Sequence, residues 1–134
     1  MDTEANRRLA CRLFERLSEN DVAGALDLMA EEATWWIAGK PGGGTLAGSQ
    51  SKARMAKVLA GMSGKTVDGL NMTVKATTAE GERVALEMAC HARLPNGRIY
   101  EQEYHTLVVV RDGRIAEVRE YMDTQHLKAI WVDP

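Results

Sequence analysis

The stretch GRIYEQEYHTLVVVRDGRIAEVREYMDT, residues 97–124, decides the fold. Leu107-Val108-Val109-Val110 is a β-branched run that suits a pleated, half-buried strand. Arg111-Asp112-Gly113 supplies turn chemistry, and Ile115 to Met122 reads as a return strand. The segment is therefore expected to form a hairpin of strands 99–111 and 114–123. It ends on Asp123 and Thr124, residue types that cap a closing helix over 124–131, with Leu127 and Ile130 or Trp131 packing down.

The register of this hairpin decides which side chains share a face. A two-residue loop at Asp112-Gly113 would pair His105 with Glu120. A three-residue loop with Gly113 left-handed would pair Tyr104 with Glu120. The second register is the one expected here. It sets Val108 against Ala116, Thr106 against Val118, Tyr104 against Glu120 and Gln102 against Met122. The opposite face then pairs His105 with Arg119 and Glu103 with Tyr121.

Working outward, Leu9, Leu13 and Leu17 recur at four-residue spacing with Phe14 beside them, so residues 3–19 are expected to be helical, capped by Asp2 or Thr3. Asn20-Asp21 breaks that helix and caps a short second one with Val22, Ala25, Leu26 and Met29 on its apolar stripe. Residues 33–38 read as a strand carrying Trp35 and Trp36. Residues 49–62 read as a helix, with Met55, Val58, Leu59 and Met62 on one face and Ser49 or Ser51 as cap. Strands follow at 70–79 and 82–94. Helices early and an antiparallel sheet late argue an α+β fold.

The 134 residues suit one domain, 1–134, and the net charge of −2 is spread over both signs. No cluster of Lys and Arg marks a nucleic-acid footprint, so no nucleic-acid partner is expected. No apolar run reaches membrane-spanning length, and no membrane partner is expected. The polar start Met1-Asp2-Thr3-Glu4 does not read as a signal peptide. Cys11 and Cys90 read as reduced, small apolar residues, and the cytoplasm is the expected address. The three histidines are unevenly spaced with no ligand motif, so neither metal nor cofactor is expected. Gly64-Lys65-Thr66 has the ending of a phosphate-binding loop. Leu59 stands where its leading glycine would be needed, and the segment before it looks helical, so that reading is set aside.

The run from Tyr104 through Asp112-Gly113-Arg114-Ile115 to Arg119-Glu120-Tyr121-Met122-Asp123-Thr124, together with Asp27 to Trp36, resembles the NTF2-like superfamily. Within it, the chain is similar to the ketosteroid-isomerase-like and SnoaL-like polyketide cyclase groups. The resemblance implies a cone: a curved antiparallel sheet wrapped around N-terminal helices, one pocket on the concave side, and a homodimer through the convex side. It agrees with the three-residue register. Lys40-Pro41-Gly42-Gly43-Gly44 reads as a flexible loop, with Gly42 to Gly44 expected over the pocket mouth.

On residues 82–94, Val84, Leu86, Met88, Cys90 and Ala92 alternate with Ala85, Glu87, Ala89, His91 and Arg93. Alternation alone lets either set face inward. The resemblance implies that Glu87, Ala89 and His91 look into the pocket and that the apolar set is covered by a partner. The implied catalytic residues are Glu120, Tyr104 and His91. The implied substrate-binding residues are Trp35, Glu87, Gln102, Met122, Leu13, Leu17, Leu59 and Met62. A carboxylate desolvated in an apolar cone holds a proton near neutral pH, and a phenol or imidazole beside it can stabilise an enolate oxygen.

The characterised relatives carry patterns that this chain lacks. The aspartate base of ketosteroid isomerases falls near Ile37, and their oxyanion tyrosine near Leu13 or Phe14. The Arg-x-Asp of limonene-epoxide hydrolases falls on Glu87 and Ala89, while their last aspartate falls on Glu120. A SnoaL-like cyclase needs little beyond one pocket carboxylate, and Glu120 matches it. The expected function is a cofactor-independent acid/base enzyme of isomerase, cyclase or hydrolase type, acting on a small apolar, carbonyl-bearing ligand. The alternatives are a non-catalytic binder with the same pocket, or a dimeric interaction protein whose pocket is closed.

Overall fold

The computed structural model describes residues 2–42 and 46–134; Gly43 and Gly44 of the expected mouth loop lie outside the described residues. Ten elements follow in order: α1 (Thr3–Ser18), α2 (Val22–Leu26), β1 (Met29–Ile37), β2 (Gly48–Ser51), α3 (Lys52–Gly64), β3 (Asn71–Glu80), β4 (Arg83–Arg93), β5 (Ile99–Arg111), β6 (Arg114–Met122) and α4 (Thr124–Trp131). The six strands form one curved sheet in the order β2-β1-β6-β5-β4-β3. It is an α+β fold, with the N-terminal helices against one side of the sheet.

Each helix begins where a short side chain satisfies an orphan backbone donor. Asp2 accepts from Ala5, Asp21 from Gly24, Ser51 from Arg54, and Asp123 from both Gln125 and His126. The expected helix at 49–62 begins later, because residues 48–51 extend and pair with β1. Gly64 and Lys65 simply end α3.

Two expectations about the sheet are corrected. The sheet is not wholly antiparallel, since β1 runs parallel to β6, with Trp35 beside Val118 and Ile37 beside Glu120. The hairpin turn has two residues rather than three. Asp112 and Gly113 both take positive φ, +52° and +77°, as a two-residue hairpin turn of primed type requires, and Arg111 pairs with Arg114. Ala116 is then an extra residue in β6, a bulge that moves every later pair by one. The result sets Thr106 opposite Glu120 and Tyr104 opposite Met122. Tyr104 and Glu120 still share a face, as diagonal rather than direct neighbours. Gln102 pairs with no β6 residue.

The inner face of β4 is the apolar one. Val84, Leu86, Met88, Cys90 and Ala92 are buried, while Glu87 and His91 are exposed on the outer face. This reverses the assignment that the resemblance implied. The cause is α1, which lays Ala10, Leu13, Phe14 and Leu17 on the concave side and needs apolar partners there. Each large side chain so buried contributes about 1.5–3 kcal/mol, whereas an inward Glu87 or His91 would have to shed its hydration. Ser18 ties the end of α1 to β3, with its hydroxyl accepting from the Met72 N–H and donating to the Met72 carbonyl. Among the described residues, no helix is long and apolar enough to cross a membrane.

Candidate functional site

Between α1, α3 and the inner face of the sheet lies a cavity of about 40 Å³. Its walls are almost wholly apolar: Phe14, Leu17, Ile37, Val58, Leu59 and Leu127, with the methionines Met55, Met62, Met72 and Met122. Three residues that carry polar groups also line it: Glu120, Tyr104 and Trp35.

Glu120 is brought there by the parity of β6. Val118 and Glu120 point inward with Met122, while Arg119 and Tyr121 point outward. Its neighbours are apolar, and it is 8 % exposed. The Trp35 indole N–H donates to Glu120 Oε1 at 2.6 Å. Burial pushes the Glu120 carboxyl up from 4.5 to about 7, and the indole bond pulls against that rise. The Trp35 ring is itself held edge-on by Phe14 at 6.3 Å. Trp36, by contrast, lies on the outer face against Tyr121, with the Arg119 guanidinium 4.2 Å from its ring centre.

Tyr104 does not touch Glu120 through a direct hydrogen bond. Its hydroxyl lies 2.6 Å from that of Tyr100, which is fully buried and four residues earlier on the same face of β5. Burial raises both phenols above their ordinary range, so both stay protonated at neutral pH and remain donors. Burial likewise raises the Cys90 thiol to about 12, so it is not a thiolate nucleophile.

The structure thus brings together Glu120, Tyr104, Trp35, Leu17, Leu59, Met62 and Met122 from the expected set. Four expected residues stand elsewhere. His91 is on the outer face, 3.8 Å from Glu101 Oε1. Glu87 is exposed on the same face, in the strand pairing with His105. Leu13 is fully buried in the core but does not line the cavity. Gln102 is buried and bound to the Asp123 backbone, donating to its carbonyl at 2.9 Å and accepting from its N–H at 3.2 Å. It extends the ladder to the start of α4 in place of a strand neighbour.

Sequence reasoning missed the Trp35–Glu120 bond, Tyr100, and the methionines Met55 and Met72 as walls. His126 is half-buried. It stacks on Tyr100 with ring centres 5.3 Å apart and accepts from the Glu101 N–H. Among the described residues, no group of three or more His, Cys, Asp or Glu could hold a metal ion.

A second cavity, of about 160 Å³, lies between the end of β1, the segment before β2, and α4. Leu46 and Leu127 belong to the walls of both cavities.

This geometry belongs to a known class. Residues 10–118 match the model of the SnoaL-like domain, and the chain is a member of that family. The matched segment stops two residues before Glu120. In overall structure the chain is similar to an NTF2-like protein from Burkholderia xenovorans LB400, at 25 % identity and a TM-score of 0.73, covering 97 % of this chain and 98 % of the other. It is also similar to the pinacolase BvnE of Penicillium brevicompactum, at 16 % identity and a TM-score of 0.79, covering 94 % and 91 %. TerC, crystallised with polyporic acid, is similar at 17 % identity and a TM-score of 0.79, covering 94 % and 97 %. No curated protein matches the sequence. The fold is that of the NTF2-like proteins.

Proposed function

We propose that the chain, as one SnoaL-like domain over residues 1–134, is a cofactor-independent acid/base enzyme of isomerase, cyclase or hydrolase type. Its substrate is a small apolar molecule bearing a carbonyl. The observation that carries this reading is Glu120: a carboxyl that lines an apolar cavity, raised to about 7, with one oxygen oriented by Trp35. A group that holds and releases a proton near neutral pH is suited to abstract a proton next to a carbonyl and return it elsewhere. Tyr104 supplies the hydroxyl that stabilises the developing oxyanion. The exposed position of His91 removes it from this mechanism. That BvnE is a pinacolase and TerC was crystallised with polyporic acid supports small-molecule chemistry on this scaffold.

A pocket for a drug-sized ligand is roughly 300 Å³ or more, so the inner cavity must open to receive substrate. Four methionines in its wall, with unbranched and adaptable side chains, make that opening inexpensive. The test is exchange of α-protons from a panel of apolar cyclic ketones in D₂O, read by proton NMR. The wild type should exchange at least one of them faster than buffer, and Glu120→Gln should not. Exchange at equal rates in both would remove Glu120 from the mechanism. The small volume of the inner cavity favours, as a second reading, an interaction protein whose pocket stays filled. That reading requires that no ketone in the panel perturbs the methionine methyl resonances.

The chain is further proposed to form a homodimer through the outer face of the sheet, where Ile99 and Tyr121 are exposed at 48 % and 45 %. A cytoplasmic address rests on the two free cysteines, Cys11 and Cys90.

A further inference from the structure

We propose that the 160 Å³ cavity beneath α4 is the outer half of the same binding site, and that its ligand carries an anionic group at the end remote from Glu120. The inference rests on the reading that the inner cavity takes the reacting part of a substrate. Three observations support it. The two cavities meet where Leu46 and Leu127 stand in both walls, so turning two leucine side chains joins them. Gly39 keeps the outer cavity open. Its φ is +115°, and a Cβ there would come within 3.2 Å of Ala47 and 3.6 Å of Thr124. Lys40 and Lys128 line this cavity, and among the described residues no Asp or Glu does.

Lys128 does pair with Asp133 at 2.6 Å, but both side chains are nearly half exposed, and a pair of that kind holds its partners weakly. A ligand carboxylate can share the ammonium. The α4 backbone is not the moving part. Gln102 holds its start, and Arg98 donates to the carbonyls of Ala129, Ile130 and Asp133 near its end. Opening therefore falls to the leucine side chains. An apolar chain of modest cross-section fits between them, with its carbonyl near Glu120 and its anionic end between the two lysines.

The test uses decanoate and decan-1-ol as probes, titrated calorimetrically into the full chain. The wild type should bind decanoate more tightly than decan-1-ol. Replacing both Lys40 and Lys128 by serine should weaken decanoate about tenfold and leave the alcohol unchanged. Ala47→Phe, which fills only the outer cavity, should weaken both probes tenfold or more. Gln125→Trp, at an exposed position on the same wall, serves the same purpose should Ala47→Phe not fold. Equal binding of acid and alcohol in the wild type would overturn the anionic assignment. Undiminished binding in the filled variants would overturn the outer site. Neither probe can be turned over, so failure here differs from failure of acid/base catalysis: loss of α-proton exchange with decanoate binding intact would sink only the latter.

Discussion

Glu120→Gln should stabilise the protein at neutral and alkaline pH by an amount that depends on pH in a defined way. The carboxyl titrates near 4.5 when exposed and near 7 in the fold, because burial disfavours its charged form. Below pH 4.5 it is protonated in both states, and its favourable contribution to the fold is fully present. Between 4.5 and 7 the unfolded chain loses the proton while the folded chain keeps it, so stability falls as pH rises. Above 7 both states are charged and the loss is complete. At ~1.4 kcal/mol per pH unit, the interval corresponds to a loss of about 3 kcal/mol. Glutamine is isosteric, accepts the same indole N–H, and does not titrate. Urea unfolding of the two proteins from about pH 4 to about pH 9 should give curves that coincide most closely at the acid end. Above about pH 8 they should diverge by about 3 kcal/mol in favour of the glutamine variant. Parallel curves would show that Glu120 is solvated in solution and would refute the reasoning. A variant that unfolds more easily at every pH would show that the carboxylate itself holds the fold together.

Other substitutions probe other contacts. Trp35→Phe removes the hydrogen bond that opposes the rise of the Glu120 carboxyl, a bond to a charged group worth about 1.5–3 kcal/mol. The Glu120 midpoint should therefore climb by about one to two pH units in a carboxyl carbon NMR titration. Gln102→Leu leaves the Asp123 N–H and carbonyl without these partners and should lower the urea-derived stability by about 1–3 kcal/mol. Thr106→Val deletes a buried hydroxyl with no partner among the described residues, and stability should stay level or rise by up to ~1 kcal/mol in the same assay. Tyr121→Lys should shift the sedimentation coefficient from dimer towards monomer if the outer face is the subunit interface.

Much of the architecture was legible because it depends on local pattern. The four-residue spacing of Leu9, Leu13 and Leu17 predicts α1, and the caps at Asp2 and Asp21 are short-range chemistry. The family was legible in the hairpin and in Asp27 to Trp36. The register was not, because two local features each move it by one residue in the same direction. Asp112-Gly113 makes a turn one residue tighter than expected, and the bulge at Ala116 shifts the later pairs by one more, so that Glu120 faces Thr106 instead of Tyr104. Each alone would have turned Glu120 to the outer face; together they preserve the parity and hence the site. A bulge carries no signal in a sequence whose strand residues are otherwise acceptable on either side.

The β4 assignment failed for a different reason. Simple alternation allowed Leu86, Met88 and Cys90 to point inward, as they do, and the analogy overrode it. Strand β2 escaped notice because Gly48-Ser49-Gln50-Ser51 has weak strand propensity and extends only by pairing with β1. The Trp35–Glu120 bond joins residues 85 apart in sequence, and no periodicity reports a contact of that kind.

The most direct test of the account is the titration of the Glu120 carboxyl carbon in the wild-type protein, with the resonance assigned by its absence from Glu120→Gln. A midpoint near 7 is the result expected for a carboxyl enclosed by Phe14, Trp35 and the methionine wall. A midpoint near 4.5 would mean that water reaches the group freely, and the proton-shuttle role would have no physical basis.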